Sequence, residues 1–321
     1  MQKWLLSRLF SDKEQPAPRF AFYGTINWMR ALSLSVDANG FGNDALRLFY
    51  SNIQSRPLDT VVDTVIFENI FMAFNHVAGL VSISNEVDNA YDISRSVISG
   101  WYHGIYSAAN AMAVAASGSL MDSHEATAMA WQIGLVQNDL VPQPFSPMLS
   151  NVLSATCDAE LSAYRGSNGF DLNHAPRTIE EAWGGILSYL KGTADYERGR
   201  IEKLVRAGPE FKALRVENFR TKAAQEVRDS YFKNAQVNFL VQASRYVGKA
   251  NYRDSIFLSY GEDRRDQIDR FLVDLGHVAT AFLRMACAYC SRRVEPGTWD
   301  LFVDDIEANS RLSLNAELLR L

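Results

Sequence analysis

The amino-acid sequence predicts an all-α protein. Apolar residues recur every three or four positions through most of the chain, which is the spacing of one face of an α-helix. Capping residues, Gly and Pro separate these runs, and no segment alternates apolar and polar residues as a half-buried strand would. The chain has 321 residues, 47% of them hydrophobic, and is long enough to bury one large core or two smaller ones.

The predicted helices of the first half are separated by polar or proline-containing loops. A short amphipathic start and the linker SDKEQPAP come before them. Asp92 or Ser94 is expected to cap the helix with the most unusual composition, in which aromatic residues lead into a run of Ala and Ser. Small side chains in series let a second helix approach closely. The helices are expected at 19–36, 45–53, 59–79, 92–116, 123–134 and 149–164.

The second half is predicted to consist of longer helices. Thr178 and Glu181 form a TxxE capping box for the first of them. A stripe of apolar residues four apart predicts one uninterrupted helix over 222–246, which Gly248 is expected to end. Further helices are expected at 252–260, at 262–288 and from 298 onward.

A segment rich in Gly, Asn and Pro, RGSNGFDLNHAPR at 165–177, is the predicted boundary between two lobes. An N-terminal segment and linker at 1–18 lead into the first lobe, residues 19–164. The second lobe is residues 178–321. Both lobes are expected to be helical bundles.

Charge is distributed unevenly between these lobes. From Leu58 to Tyr164 there are about eleven acidic residues, and Arg95 is the single Lys or Arg. From 198 to 253 about thirteen Lys and Arg stand against roughly half as many acids. Contacts with nucleic acid are therefore expected mainly in the basic second lobe. The alternative is that the two faces are solvated or dock on each other.

Cysteine usage and the N-terminus predict a cytoplasmic protein. Three cysteines do not make a disulfide framework. Cys287 and Cys290 have CxxC spacing, but they lie in an apolar helical run, so buried cysteines are expected rather than a zinc site. The first ten residues are too short and too charged for a signal segment, and no apolar run of about 18 residues predicts a membrane helix. Common phosphate-binding, dinucleotide and hydrolase motifs are absent, so no metal or cofactor is expected.

The segment SRSVISGWYHGIYSAANAM, residues 94–112, carries the sharpest functional signal. An aromatic pair and His103 precede a run of small residues, and the lone cation Arg95 lies upstream of the histidine. This segment resembles the signature helix of HEPN proteins (higher eukaryote and prokaryote nucleotide-binding), small all-α modules common in toxin–antitoxin and antiphage systems. Many members are metal-independent ribonucleases built at a dimer interface. The resemblance therefore implies RNA cleavage and a homodimer.

On this resemblance, Arg95, His103 and Tyr106 are the candidate catalytic residues. His103 would take the proton of a ribose 2′-hydroxyl or protonate the leaving 5′-oxygen, and Arg95 would stabilise the charge of the phosphorane. Tyr106, or Tyr102, would stack on a base. Cleavage of this kind leaves 2′,3′-cyclic phosphate ends and needs no metal.

The spacing departs from the HEPN pattern. Seven residues lie between Arg95 and His103, one beyond the family's range of about four to six, and this separation turns the two side chains about 80° apart on a straight helix. Alignment on the small-residue run instead places Ser107 at the histidine position and Gly100 at the arginine position. A π-bulge near Gly100 would restore the Arg–His alignment.

The sequence contains four other histidines. Arg270 and His277 have a spacing that puts both on one helical face, but they lack the aromatic neighbours. His76, His124 and His174 are expected to be structural or to face solvent.

The segment RYVGKANYRD, 245–254, is expected to form a basic turn. Its candidate nucleic-acid contacts are Arg245, Lys249, Tyr252 and Arg253, because Arg and Lys meet phosphates and Tyr stacks on bases. The alternative is a structural turn in which Asp254 holds one of the arginines.

The sequence therefore predicts an RNA-directed effector of a bacterial defence or toxin–antitoxin system, with metal-independent ribonuclease activity as its candidate reaction. RNA, a second copy of the chain and a protein of the same defence system are the expected partners. The alternative is a non-catalytic HEPN-like adaptor that docks a nuclease or an ATPase. In that case Arg95 is expected to pair with Asp88 or Asp92, and His103 to pack in the core.

Overall fold

The structure is a computed structural model that describes residues 4–9, 18–251 and 253–320. In these residues the protein is 73% helical and has no strand, which confirms the predicted all-α class. One isolated antiparallel bridge joins Leu149 and Val237. The α-helices of the described residues are α1 (Trp4–Leu9), α2 (Pro18–Asn39), α3 (Asn43–Phe49), α4 (Thr60–Glu86), α5 (Ala90–Ser117), α6 (His124–Gly134), α7 (Ser154–Arg165), α8 (Ile179–Ala207), α9 (Pro209–Ala213), α10 (Lys222–Asn234), α11 (Phe239–Asn251), α12 (Arg265–Arg293) and α13 (Thr298–Asn309). Short 3₁₀ helices lie at Val136–Asn138, Arg253–Leu258 and Ala316–Leu319.

Helices α5 and α12 lie at the centre of the packing. Helix α5 contacts α4, α6, α11 and α12, and α12 also packs on α2 and α4. Residues 108–115 of α5 are all buried, because small side chains let the neighbouring helices come close. Trp101 of α5 meets Trp28 of α2 edge-on, with 6.0 Å between ring centroids, and Trp28 in turn stacks on Tyr189 of α8 at 4.0 Å. Aromatic rings thus connect three helices through the core.

The main hydrophobic core draws residues from both sides of the predicted lobe boundary, from Phe22 to Leu319. A smaller core lies between α7, α8, α9 and α10. The boundary segment itself packs on helices: Asn27 Nδ2 donates to the carbonyl oxygen of Leu172 at 2.8 Å. A Cβ at Gly184 of α8 would lie 2.7 Å from the Cβ of Phe170, so glycine is what lets this segment lie against the helix. The division at 165–177 stays a prediction.

The prediction of a single helix over 222–246 is wrong, because the chain leaves helical conformation between α10 and α11. Asn238 caps α11: its side-chain oxygen accepts from the backbone N–H of Leu240 and Val241 at 3.0 and 3.1 Å. The preceding residue, Val237, is held in extended conformation by its bridge to Leu149. That partner is distant in sequence, so the apolar stripe gave no sign of the break.

The basic segment at 245–254 was expected to be a turn after Gly248, but α11 continues through Gly248 to Asn251. A glycine inside a helix costs only about 1 kcal/mol relative to alanine. The buried residues Tyr246 and Ala250 offset this cost by packing the last turns into the core. The candidate nucleic-acid contacts Arg245 and Lys249 therefore lie on one helix, four residues apart.

Some of the observed helix N-caps are the ones that the sequence predicts. The capping box is confirmed, since Thr178 Oγ1 accepts from the N–H of Glu181 at 3.2 Å. Ser123, one of two residues expected to cap α6, accepts from Ala126 at 3.1 Å. Helix α5 begins earlier than predicted, with Asn89 at the N-cap position instead of Asp92 or Ser94.

By length and composition alone, α4 and α12 could cross a membrane. In the most apolar window of α12, 78% of the residues are buried within the protein, against 39% for α4. Core helices of globular proteins have the same properties, so this is weak evidence for a membrane span. A cytoplasmic location stays a prediction.

Candidate functional site

Arg95 and His103, two of the candidate catalytic residues, face different neighbours. Helix α5 is uninterrupted from 90 to 117 and contains no π-bulge, so the pair, eight positions apart, is separated by about 12 Å along the helix axis. Arg95 Nε donates to the carbonyl oxygen of Ala250 in α11 at 3.1 Å. The His103 ring stacks on His76 of α4, with 5.6 Å between centroids. The structure does not bring Arg95 and His103 together.

These placements also differ from those predicted for a non-catalytic adaptor, in which Arg95 pairs with an acidic residue and His103 packs in the core. Arg95 bonds to a backbone carbonyl and forms no ion pair with Asp88 or Asp92. His103 is exposed and is not packed in the core. Burial, and secondarily the neighbouring His103, lower the pKa of His76. The two imidazoles thus lie side by side at the surface where α4 meets α5.

Tyr106, the third candidate, lines a cavity of about 430 Å³ between α5, α6, α8 and α11. Its ring stacks on the imidazole of His124, with 3.9 Å between centroids. Its hydroxyl lies 3.1 Å from Thr127 Oγ1. His124 is the first residue of α6 because Ser123 caps that helix. We call this space the tyrosine–histidine cavity.

Tyr102 and His124 are hydrogen-bonded through the phenol oxygen and Nδ1. Burial raises the pKa of Tyr102 to about 12, although a hydrogen bond from Ser244 acts in the other direction. The phenol is therefore protonated at neutral pH and can donate to Nδ1, which places the proton of a neutral imidazole on Nε2. His124 is exposed and lines the cavity, so a ligand there can reach the ring. The imidazole is held in place by one tyrosine on its edge and another on its face.

Arg245 of α11 lines the same cavity. Its guanidinium carbon lies 5.1 and 5.4 Å from the ring centroids of Tyr189 and Tyr196, and Nη1 donates to Thr193 Oγ1 at 3.0 Å. A Cβ at Gly192 would lie 3.3 Å from Nη1, so glycine leaves room for the guanidinium. Among the described residues no carboxylate forms an ion pair with Arg245, and its buried Nε has no hydrogen-bond acceptor. A stacked guanidinium with an unused donor is suited to an anionic ligand.

Two of the four side chains predicted to contact nucleic acid, Arg245 and Lys249, line the same cavity. Lys249 follows Arg245 by one helical turn, and its ammonium lies 5.7 Å from the ring centroid of Tyr189. Arg245 and Lys249 line a second cavity, of about 230 Å³. Tyr252 lies outside the described residues, as do the side chains of Arg253 and Asp254. Arg245 therefore belongs to both cavities.

Arg270 and His277 are the second Arg–His pair, and Arg270 lies beside a buried carboxylate. Asp274 of α12 is buried, with Arg30 Nη1 at 3.1 Å and Arg270 Nε at 3.6 Å from its Oδ1. The free-energy cost of burying the Asp274 carboxylate away from water is offset by the two nearby guanidinium groups. Arg270 is thereby engaged in the α2–α12 contact.

His277 also joins α2 to α12. Its Nδ1 lies 3.0 Å from Ser33 Oγ, and its Nε2 lies 3.3 Å from Asp37 Oδ1. Serine, histidine and aspartate are the residue types of a hydrolase triad. Ser33, however, is only 2% exposed, so its hydroxyl is closed to a substrate. The three residues therefore join α2 to α12, and a substrate cannot reach the serine hydroxyl.

Cys287 and Cys290 are buried, as the sequence predicted. Burial raises the pKa of both thiols, which keeps them protonated and unreactive. In the part of the chain that the structure describes, no group of three or more His, Cys, Asp or Glu is arranged to hold a metal ion.

The sequence patterns did not indicate His124, nor the two tyrosines Tyr189 and Tyr196 that lie beside Arg245. The place of His124 in the first turn of a helix suggested a structural or solvent-facing role. One signal was present, because Tyr102 and Tyr106 lie one turn apart on α5 and so share a face. What covers that face depends on how α6 docks, which sequence spacing does not contain.

No family model, curated protein or solved structure is significantly similar to this chain. The fold and the cavities define it as an all-α protein with an aromatic site that contains arginine and histidine.

Proposed function

We propose that this protein is an RNA-directed effector that binds single-stranded RNA in the tyrosine–histidine cavity. The observation that carries the proposal is the Arg245 guanidinium, held against the rings of Tyr189 and Tyr196 without a carboxylate partner among the described residues. A guanidinium held in this way keeps hydrogen-bond donors available for a phosphate.

The rings around Arg245 suit a base. Tyr196 is 51% exposed, and Tyr106 is half-buried at the same cavity. Stacking on tyrosine is how many proteins hold single-stranded RNA, and it tolerates any base. A cavity of about 430 Å³ lies in the size range of small-ligand sites, so it has room for about one nucleotide.

Charge in this cavity is balanced and not strongly basic. Arg200 lines it, but its Nε donates to Glu197 at 2.8 Å, and Glu125 is a second carboxylate in the lining. Electrostatic attraction alone would therefore bind RNA weakly. Stacking, together with one phosphate contact at Arg245, is expected to supply most of the affinity.

Cleavage at this site would use His124. A general acid or base must lie within hydrogen-bond reach of the reacting group, and His124 is the imidazole that lines the cavity. Tyr102 fixes its orientation through Nδ1. Metal-independent cleavage in a defence or toxin–antitoxin setting, as the HEPN resemblance implies, is part of the same proposal.

The second candidate is a non-catalytic adaptor with a HEPN-like helix. The observation that favours it over cleavage at α5 is that Arg95 bonds to Ala250 and His103 stacks on His76, so the two do not share one groove. The ion pair and the buried histidine that this alternative also predicts are not found among the described residues. An adaptor of this kind would dimerise or dock a nuclease or ATPase partner.

Binding is tested by fluorescence anisotropy with labelled single-stranded RNA over a range of salt concentrations. Tyr106→Leu and Arg245→Met are each expected to weaken binding by about 1–3 kcal/mol, because each removes a stacking or phosphate contact. The matched controls are Tyr231→Leu and Arg47→Met, which change exposed residues that line neither cavity. Equal affinity for all five proteins would contradict the proposed site.

Catalysis is tested separately, by incubation with a mixed tRNA and mRNA pool in excess EDTA and mapping of new ends. New 2′,3′-cyclic phosphate ends that are lost in His124→Asn but kept in His174→Asn would support cleavage in this cavity. Loss in Arg95→Ala and His103→Ala instead, with His124→Asn active, would return the active site to α5. RNA binding without cleavage would favour a binding effector, and neither activity would favour the adaptor.

A further inference from the structure

The second cavity, which Arg245 shares, has features that the first lacks. Its volume is about 230 Å³, and it lies between α2, α8, α11 and the segment at 171–173. The side chains that decide its chemistry are Tyr189, Arg245, Lys249 and Asp171. We call it the Tyr189 cavity.

Tyr189 brings a buried donor without an acceptor. The residue is 3% exposed, and its hydroxyl oxygen has no hydrogen-bond partner among the described residues. Its ring stacks on Trp28 at 4.0 Å and 15°, so the side chain is held in place and cannot turn its hydroxyl to solvent. Burial raises the pKa of Tyr189, which keeps the phenol protonated. Buried polar groups of folded proteins nearly always have a partner, so this hydroxyl indicates a missing acceptor.

Arg245 brings a second donor of the same kind. Its Nη1 is used by Thr193, whereas its Nε is buried and lacks an acceptor among the described residues. The guanidinium carbon lies 5.1 Å from the ring centroid of Tyr189, and both residues line this cavity. Two such donors within one cavity point to a ligand that accepts from both.

The charges select an anion. Arg245 and Lys249 line the cavity with two positive charges. Among the described residues of the lining, Asp171 is the one carboxylate, and its oxygens accept from the backbone and side-chain nitrogens of Asn173, the backbone contact at 2.8 Å. Two cationic side chains of the described lining thus lie beside buried donors that lack acceptors, and a bound anion would interact favourably with both.

We infer that the Tyr189 cavity binds a phosphate group, held by the Tyr189 hydroxyl, the Arg245 guanidinium and the Lys249 ammonium. A phosphate presents several acceptor oxygens in different directions, which matches donors from three side chains on two helices better than a planar carboxylate does. The group is either free phosphate or the phosphate of a nucleotide. The inference does not depend on binding of an RNA chain, because free phosphate has the same chemistry.

The test measures binding of inorganic phosphate and of uridine 5′-monophosphate to the full chain by calorimetry and by thermal shift. Uridine alone and sodium chloride at equal ionic strength are the ligand controls. We expect both phosphate compounds to bind and to raise the melting temperature, and both controls to have no effect. Tighter binding of the nucleotide would identify a nucleotide phosphate as the ligand, and equal binding would identify the phosphate group alone.

Tyr189→Phe is the decisive variant, because it removes the hydroxyl and keeps the ring on Trp28. It is expected to weaken phosphate binding about tenfold or more, the effect of losing one hydrogen bond to a charged group. The melting temperature of the ligand-free variant should be equal or higher, since an unsatisfied buried hydroxyl is removed. Tyr231→Phe, at an exposed tyrosine outside both cavities, should bind phosphate as the wild type does.

Lys249→Met, compared with Lys212→Met at an exposed site, should also weaken phosphate binding. No binding of either phosphate compound at millimolar concentration would overturn the inference, and so would affinity that Tyr189→Phe leaves unchanged. Tyr106 and His124 line the tyrosine–histidine cavity and not the Tyr189 cavity, so the variants Tyr106→Leu and His124→Asn should keep phosphate binding. Failure of RNA binding in the wild type, with phosphate binding intact, would therefore contradict the proposed function and leave this site standing.

Discussion

Arg95 Nε donates a hydrogen bond to the backbone carbonyl oxygen of Ala250 at 3.1 Å, and this bond joins the start of α5 to the last turn of α11. The final carbonyl groups of an α-helix lack partners within the helix. A cation that reaches one of them satisfies it and complements the partial negative charge of the helix end. The one Lys or Arg between 58 and 164 thus has a structural partner.

Arg95→Met is expected to lower the free energy of unfolding by about 1 kcal/mol, the net worth of one hydrogen bond at a partly exposed site. RNA affinity should stay at the wild-type value, because Arg95 lines neither cavity. Urea unfolding and RNA anisotropy check the two parts. Arg47→Met, at an exposed arginine of α3, is the control for loss of a charge. A large drop in RNA affinity in Arg95→Met alone would place Arg95 in the RNA site after all.

Stability should fall at alkaline pH, in part because of Tyr102. Its pKa is about 12 in the folded protein, against an ordinary value of 10.0. The folded state holds this proton more tightly, so the contribution is complete below pH 10 and is lost as the pH rises from about 10 to 12. By pH 11 this residue should account for a loss of about 1 kcal/mol.

Urea unfolding of the wild type and Tyr102→Phe between pH 8 and 11 measures that loss. The variant should be less stable at pH 8, because it lacks the bond to His124, and its stability should decline less steeply with pH. Tyr231→Phe, at an exposed tyrosine, should keep the wild-type slope. Parallel curves for the wild type and Tyr102→Phe would show that this phenol has no raised pKa.

Arg30 and Arg270 both lie beside Asp274, but their loss should have unequal effects. The Asp274 side chain is 3% exposed, so Arg30→Met leaves a buried carboxylate without its closer partner, which should cost about 2–4 kcal/mol. Arg270 is 57% exposed and lies 3.6 Å away, so Arg270→Met should cost no more than about 1 kcal/mol. Urea unfolding at pH 7 compares the two. Equal losses would mean that the buried carboxylate does not depend on Arg30.

The sequence was sufficient for the fold class and for much of the helix pattern. The Thr178–Glu181 capping box and the small-residue half of α5 are local features, and both are found as predicted. Sequence patterns were not sufficient where contacts with distant segments determine the backbone conformation. The break before Asn238 needs the bridge between Leu149 and Val237, and an apolar stripe at helical spacing continues across it.

The same limit applies to the site. Tyr106 and Arg245 were selected from their residue type and surroundings, and both line the tyrosine–histidine cavity. The pairing of Arg95 with His103 was inferred from a resemblance confined to one helix, yet their partners belong to α11 and α4. Which neighbours meet each face of α5 is a property of the whole packing. The residue types within α5 therefore identified side chains with notable chemistry but not the groups that they contact.

The position of α12 in the chain has a consequence for synthesis of the protein. This helix is buried against α2, α4 and α5, yet its residues leave the ribosome only after more than two hundred others. Until then, apolar faces of the earlier helices lack their cover, and the contacts that provide it are far apart in sequence, which slows folding. The nascent chain is therefore expected to need a holding chaperone, and a pause in translation before residue 265 would favour aggregation.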